Sequence, residues 1–215
     1  MTTMKELLEA NRLCGEASRP PETTVALRSS MLGLVNSGIQ DETLQEGEAM
    51  GAFALPNPAG KIIHSGDLLA AGPVVLNFYR DGWCSYYNIE MRVLQERLGE
   101  IEALGASLVA IAPEAPTRAE ATAAKNELTH EVLSDTGNVV ARTFGLVFTL
   151  SETMREIYQG MGIDIPAYNR DDTFELPIPA TYAVRKDGIV LKTFADPDYF
   201  KRLEVDDILT ALGGA

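Results

Sequence analysis

The chain has 215 residues, of which 46% are hydrophobic and 23% are charged, and its formal net charge is −13, with an isoelectric point near 4.6. This length and composition are typical of one globular domain with an extension. The acidic balance argues against nucleic acids and anionic membrane surfaces as partners, because both attract basic patches. No stretch approaches the roughly 18 apolar residues of a membrane span, and no secretory signal is visible.

Residues 1–50 form a predicted helical extension. Amphipathic patterns over 3–14 and 23–37 predict two helices, and the prolines of Ser18-Arg-Pro-Pro21 separate them. An acidic stretch from Asp41 to Glu48 then leads to the main domain. We expect the extension to pack on that domain, to mediate dimerisation, or both.

Residues 51–215 alternate between strand and helix patterns, followed by a hairpin and a closing helix. This order predicts an α/β domain with a mixed sheet and helices on both faces. The predicted elements are a hairpin at 52–55 and 61–64, strand 73–79, helix 84–104, strand 107–112, helix 117–127, strand 131–133, a helical turn at 137–143, helix 151–162, a polar loop at 163–177, a hairpin at 181–185 and 189–194, and helix 205–212.

Cys84 lies where a buried strand is predicted to pass into a helix. The apolar run 74–79 precedes Arg80-Asp-Gly-Trp-Cys84, and helical spacing begins after the cysteine. Unpaired N–H groups and the dipole at a helix N-terminus favour a thiolate, and Arg80 adds a positive charge. The alternative is a cysteine that only fills space in the core. We favour the reactive thiolate as the catalytic nucleophile.

The same segment resembles the thioredoxin-fold branch that contains peroxiredoxin-like proteins of the alkyl hydroperoxide reductase and thiol-specific antioxidant family. The resemblance runs from about Gly51 to the C-terminus. It is carried by Arg80-Asp-Gly-Trp-Cys84, Leu108-Val-Ala-Ile-Ala-Pro113, Glu131-Val-Leu-Ser-Asp135, Phe144-Gly-Leu146 and Pro177-Ile-Pro-Ala-Thr-Tyr182. It implies a thioredoxin-like fold with a central mixed sheet, a thiol oxidoreductase activity, and a homodimer.

The active-site segment departs from its relatives at the second cysteine. Similar proteins usually have Cys-Pro-Tyr-Cys, whereas here Tyr87 stands where the second cysteine would be. Three routes remain: an external thiol (glutathione or a thioredoxin) as reductant, Cys14 as a distant resolving cysteine, or no redox turnover. Cys14 can resolve Cys84 only if their α-carbons come within about 7 Å of each other.

Two further positions differ from the peroxiredoxin pattern. That pattern has a proline seven residues before the cysteine and a hydroxyl residue three before it, where this chain has Asn77 and Asp81. Asp81 either opposes the thiolate with its negative charge or pairs with Arg80 and is neutral in effect. The substitution removes the hydroxyl that orients peroxide.

Four residues are candidates for substrate binding. Trp83, Tyr86 and Tyr87 flank Cys84 and would line its pocket. By the resemblance, Pro179 lies opposite Cys84 in the cis form and shapes the substrate groove; the alternative is an ordinary loop proline. The sequence contains no metal-ligand spacing, so neither a metal nor a cofactor is expected.

Three functions remain open. The first is a cytoplasmic peroxiredoxin-like oxidoreductase that acts on a peroxide or a disulfide through Cys84. The second is a divergent relative that acts on a small organic substrate, with Tyr87 and Asp81 as acid–base candidates. The third is a non-catalytic binding module that uses the N-terminal helices. Only Cys14 and Cys84 are present, which fits free thiols in the cytoplasm.

Overall fold

The computed structural model describes residues 3–214 and contains ten α-helices among them. The helices are α1 (Met4–Ser18), α2 (Pro21–Val35), α3 (Ser65–Ala71), α4 (Ser85–Glu96), α5 (Leu98–Ala103), α6 (Pro116–Lys125), α7 (Val139–Thr143), α8 (Glu152–Gly160), α9 (Ile165–Asn169) and α10 (Val205–Gly213). A 3₁₀ helix covers Ile39–Glu42. No helix in this part of the chain is long and apolar enough to cross a membrane.

Nine strands within residues 3–214 form one central sheet and two small ones. The strands are β1 (Ala54–Pro56), β2 (Ile62–His64), β3 (Val74–Phe78), β4 (Ser107–Ala112), β5 (Glu131–Ser134), β6 (Val147–Thr149), β7 (Glu175–Pro177), β8 (Ala180–Val184) and β9 (Val190–Ala195). The central order is β5-β4-β3-β8-β9, with β3, β4 and β5 parallel and β8 and β9 antiparallel to their neighbours. The predicted mixed α/β sheet is confirmed.

Strand β3 lies at the centre of the sheet and is buried on both faces. Side chains along β3 point alternately to the two faces of the sheet. Val75 belongs to the hydrophobic core beneath α1, α4 and α10, and Leu76 belongs to the core on the opposite face. The carboxyl end of β3 and the turn that follows it are therefore held in place by a buried central strand.

The extension is packed on the domain through α1. Met4 and Leu8 are 2% and 3% exposed and belong to the same core cluster as Tyr87 and Met91 of α4. Asn11 Nδ2 donates to Ser85 Oγ at 2.9 Å, at the first residue of α4. The first helix thus shares the core of the domain.

Two predicted elements were wrong in detail. The helix expected over 84–104 is broken at Arg97, whose φ of −107° and ψ of 12° are not helical, and Gly99 weakens the helix that follows. The loop expected over 163–177 contains α9 and β7. Asp164 caps α9 through Ala167 N–H at 3.1 Å, and β7 is a strand because it pairs with the distant β6.

We expect Leu8→Ala to lower the free energy of unfolding by about 2–4 kcal/mol, because it opens a cavity in the shared core. Leu13→Ala on the same helix is the matched control, since Leu13 is 53% exposed. Urea unfolding followed by circular dichroism measures both. Equal effects would show that α1 does not share the core.

Candidate active site

Cys84 is the N-cap of α4, in the turn after β3. Cys84 is 8% exposed, and its backbone N–H donates to the Asp81 carbonyl at 3.2 Å. No side chain caps α4, so the N–H groups of its first turn are free to face an anion. The predicted position at a strand-to-helix turn is therefore correct.

Arg80 is a buried cation beside this cysteine. It is 3% exposed, its Nε donates to the Pro177 carbonyl at 3.3 Å, and its Nη1 lies 3.5 Å from the Tyr158 hydroxyl. The rings of Phe148 and Tyr199 lie 5.1 and 5.3 Å from its guanidinium carbon. Among the described residues no carboxylate forms an ion pair with it.

No carboxylate in residues 3–214 therefore balances the charge of Arg80. An arginine stays protonated when buried, and an isolated buried charge is costly unless an anion compensates it. Cys84 lies within electrostatic range of Arg80. A thiolate at Cys84 would supply the missing negative charge.

A second buried arginine, Arg202, has its own partner. Its Nε donates to Glu90 Oε2 at 2.5 Å, and both side chains are 1% exposed. Glu90 Oε1 also accepts from Asn77 Nδ2 at 2.9 Å and from Thr181 Oγ1 at 3.4 Å. Because this network uses the carboxylate of Glu90, that carboxylate does not neutralise Arg80.

The sequence analysis missed Glu90 and Arg202. Glu90 occupies the apolar stripe of α4, three residues after Tyr87 and four before Leu94, which was the available signal. A charged residue in such a stripe needs a buried partner. Nothing in the chain order identified Arg202, which lies 112 residues further on.

Asp81 is turned away from Arg80, so the predicted alternative of an Asp81–Arg80 pair is wrong. Its carboxyl meets that of Glu114, while its Oδ1 accepts from Trp83 N–H at 3.2 Å. Glu114 accepts from the Tyr79 hydroxyl and from Thr122 Oγ1, the latter at 3.0 Å. The strand end of β4 supplies this partner, which the sequence pattern did not indicate.

The two buried carboxyl groups oppose each other's ionisation. Burial, and then the neighbouring Glu114, raises the pKa of Asp81 to about 8. Two buried carboxyl groups in contact cannot both ionise. At neutral pH Asp81 is therefore largely uncharged and does not oppose a thiolate at Cys84.

Gly82 allows the turn to lie against α6. A Cβ at this position would come 2.2 Å from Thr122 Oγ1. The Gly82 carbonyl accepts from Asn88 Nδ2 at 2.9 Å and from Lys125 Nζ at 3.1 Å. Any larger residue would move the turn and with it Cys84.

The three aromatic candidates for substrate binding lie in different environments. Trp83 is half-buried and packs on Tyr158 with ring centroids 5.3 Å apart. Tyr86 is 6% exposed and contacts the rings of Tyr199 and Phe200. Tyr87 is fully buried beneath the Arg202 guanidinium, and its hydroxyl has no partner among the described residues.

Pro179 is buried at the start of β8, beside the end of β3. The expected cis bond is wrong, because residues 3–214 contain no cis peptide. The trans form is the ordinary preference of an X–Pro bond, and the Pro179 carbonyl accepts from Asp196 N–H at 3.2 Å. Pro179 thus lies beside the end of β3, as predicted, but its preceding peptide bond is trans.

Cys14 lies exposed on α1, and neither it nor Cys84 is in a disulfide. It follows Asn11 by three residues, close to one helical turn. Since Asn11 contacts Ser85, Cys14 is carried on the helix that touches the start of α4. Its role as a resolving cysteine stays a prediction.

A family model described as the AhpC/TSA family matches residues 47–193. Peroxidoxin BcpB from Mycobacterium tuberculosis is 22% identical, with a TM-score of 0.63 over 80% of this chain and 97% of that one. Peroxiredoxin Q from Xanthomonas campestris is 15% identical, with a TM-score of 0.58 over 75% and 90%. A Plasmodium vivax 2-Cys peroxiredoxin is 15% identical, with a TM-score of 0.59 over 80% and 96%. No curated protein matches, and the predicted thioredoxin-like fold is confirmed by these structures.

The Asp81–Glu114 pair predicts a fall in stability with rising pH. A carboxyl whose pKa is higher in the folded state than the ordinary 3.9 binds more protons when folded, so the free energy of unfolding decreases between about pH 4 and pH 8. The slope for one proton is at most about 1.4 kcal/mol per pH unit. Asp81→Asn should flatten this slope in urea unfolding from pH 5 to pH 9.

Asp187→Asn is the matched control. Its hydrogen bonds with Arg185 lower the pKa of Asp187, so this exposed carboxyl titrates below the same pH range. The control should leave the slope unchanged. A wild-type slope that Asp81→Asn does not alter would contradict the raised pKa of Asp81.

Proposed function

Because the chain belongs to the AhpC/TSA family, we propose that it is a thiol-dependent oxidoreductase that reduces a peroxide with Cys84 as its one active-site nucleophile. The observation that carries this proposal is the buried guanidinium of Arg80, which has no carboxylate partner among the described residues and lies within electrostatic range of Cys84. A buried charge left unbalanced in this way favours an anion at the neighbouring group, and the thiolate is the nucleophilic form of cysteine.

In the proposed reaction the Cys84 thiolate attacks one peroxide oxygen and the O–O bond breaks. Sulfur is oxidised to sulfenic acid, and the other oxygen leaves as water or an alcohol after taking up a proton. A thiol then attacks the sulfenic acid, which releases water and forms a disulfide. A second thiol reduces that disulfide and restores Cys84.

In the family pattern a hydroxyl three residues before the cysteine orients the peroxide. Other polar groups around Cys84 would have to replace it here. Asp81 stands in place of that hydroxyl and faces Glu114. The N–H groups of Arg80 and the hydroxyl of Tyr158 are polar groups on the Arg80 side of the site. We propose that they orient the peroxide, while the α4 N-terminus stabilises the thiolate.

The reductant would be an external thiol, glutathione or a thioredoxin, because Tyr87 occupies the position of the usual second cysteine. Cys14 is the alternative source. Its exposure and its place on α1 support access from solvent or from a second copy of the chain. Either route gives a disulfide as the first product of resolution.

The alternative small-organic-substrate function has less support. Its acid–base candidates were Tyr87 and Asp81, and Tyr87 is fully buried while Asp81 pairs with Glu114. These two side chains do not converge on one exposed site.

Cys84→Ser should abolish peroxide consumption with dithiothreitol as reductant, because no other described thiol lies at a helix N-terminus after the central strand. Mass spectrometry of the wild type after one equivalent of hydrogen peroxide should find one added oxygen on Cys84. Peroxide turnover that survives in Cys84→Ser would overturn the proposal.

Cys14→Ser separates the two resolving routes. With glutathione or thioredoxin as reductant, the variant should retain turnover. A Cys14–Cys84 disulfide in the oxidised wild type, together with loss of turnover in Cys14→Ser, would instead establish Cys14 as the resolving cysteine.

Arg80→Gln should slow alkylation of Cys84 by iodoacetamide at pH 7 by about tenfold, equivalent to about 1.4 kcal/mol of lost thiolate stabilisation. Arg118→Gln is the control, since Arg118 is exposed and lies against Tyr168, beside Asp81. Its rate should stay within about twofold of the wild type. Equal rates in all three proteins would mean that Arg80 does not stabilise a thiolate.

A further inference from the structure

An apolar groove of about 940 Å³ lies beneath α2, between this helix and the β6–α8 region. Its lining includes Val25, Leu34, Phe148, Leu150 and Met154. A volume of this size is in the range of small-molecule sites. The groove is therefore large enough for a ligand, and its wall is mainly apolar.

Helix α2 is loosely seated over this groove. Of its fifteen residues only Leu27 is buried, whereas Val25 and Leu32 are 66% and 53% exposed. Most packed helices bury a continuous apolar stripe. The groove is thus the space that α2 leaves unfilled against the domain.

A small chamber beside Arg80 adjoins the inner side of the groove. A chamber of about 20 Å³ shares Leu34, Phe148, Leu150 and Met154 with the groove. Arg80 and Met31 of α2 also line this chamber. The groove and the chamber are therefore neighbouring cavities with shared apolar walls, and the chamber contains a buried cation that has no carboxylate partner among residues 3–214.

We propose that the groove beneath α2 binds a linear amphiphile with a single anionic head, its alkyl tail along Phe148 and Leu150 and its head at the Arg80 guanidinium. A carboxylate is the simplest head group with the geometry of a guanidinium partner. Glu22 lines the outer part of the groove, which disfavours a second negative charge on the ligand.

The head group needs more space than the chamber now has. A volume of about 20 Å³ holds one water-sized group. Met31 lines the chamber, and an unbranched methionine side chain changes rotamer at little cost. Binding would therefore displace Met31 and leave the sheet in place.

The test uses octanoate and decanoate as probes and decanol as the uncharged comparison. Trp83 is the only tryptophan of the chain and packs on Tyr158, whose hydroxyl lies beside Arg80, so its fluorescence reports on the inner end. Titrations are made in the full-length Cys84→Ser protein. The result is then independent of whether Cys84 reacts with peroxide.

We expect decanoate to bind about tenfold more tightly than octanoate, since each buried CH₂ adds roughly three- to fourfold in affinity. Decanoate should also bind at least tenfold more tightly than decanol, and Arg80→Gln should remove that difference. Affinity that does not depend on chain length, or that is equal for decanoate and decanol, would overturn the proposal.

Gly33 offers a way to block the tail without touching Arg80. It lines the groove, and a Cβ added there meets nothing within 4 Å. Gly33→Phe should weaken decanoate binding at least tenfold, whereas Gly33→Ala should not. This pair keeps the test decisive if Arg80→Gln fails to fold. Unchanged decanoate binding in Gly33→Phe would overturn the proposal. It would also be overturned if the wild type bound no decanoate but formed a dimer that Gly33→Phe dissociates, because the groove would then be a dimer interface.

Discussion

The function proposed for Cys84 depends on the buried guanidinium groups of Arg80 and Arg202. Arg202 pairs with Glu90 of α4, whereas Arg80 lies against Tyr158 and Phe148 and has no carboxylate partner in residues 3–214. Without that pair, Glu90 would be a bare anion in the core and would compete with the thiol for Arg80. The Arg202–Glu90 pair therefore leaves the charge of Arg80 for Cys84 or for a ligand.

The buried acids Asp81 and Glu114 form a second polar group, which makes no ion pair with Arg80 in residues 3–214. Asp81 is close to Cys84 in sequence, yet the neighbouring Glu114, which accepts from Thr122 of α6, helps to raise the pKa of its carboxyl. The turn is thus flanked by the Arg80 cation and by an acid pair in which Asp81 is largely uncharged at neutral pH. Gly82 lets the turn lie against Thr122, which donates to Glu114 of that acid pair.

Local pattern predicted the parts of this structure that depend on neighbours in sequence. The apolar run 74–79 and the spacing after Cys84 were sufficient for β3, for α4 and for the turn between them. Pairings between distant segments had no such signal, which is why β6–β7, Glu114 beside Asp81, and Arg202 beside Glu90 were missed. The cis form of Pro179 was expected from resemblance alone, and this expectation was wrong.

The distance in sequence between Glu90 and Arg202 also has a consequence for synthesis of the chain. Glu90 leaves the ribosome 112 residues before the arginine that pairs with it. Until Arg202 follows, docking of α4 would bury the Glu90 carboxylate without its cation, which costs free energy. Assembly of the thiol site thus waits for Arg202, and a ribosome-stalled chain that ends before Arg202 carries Cys84 without its finished surroundings.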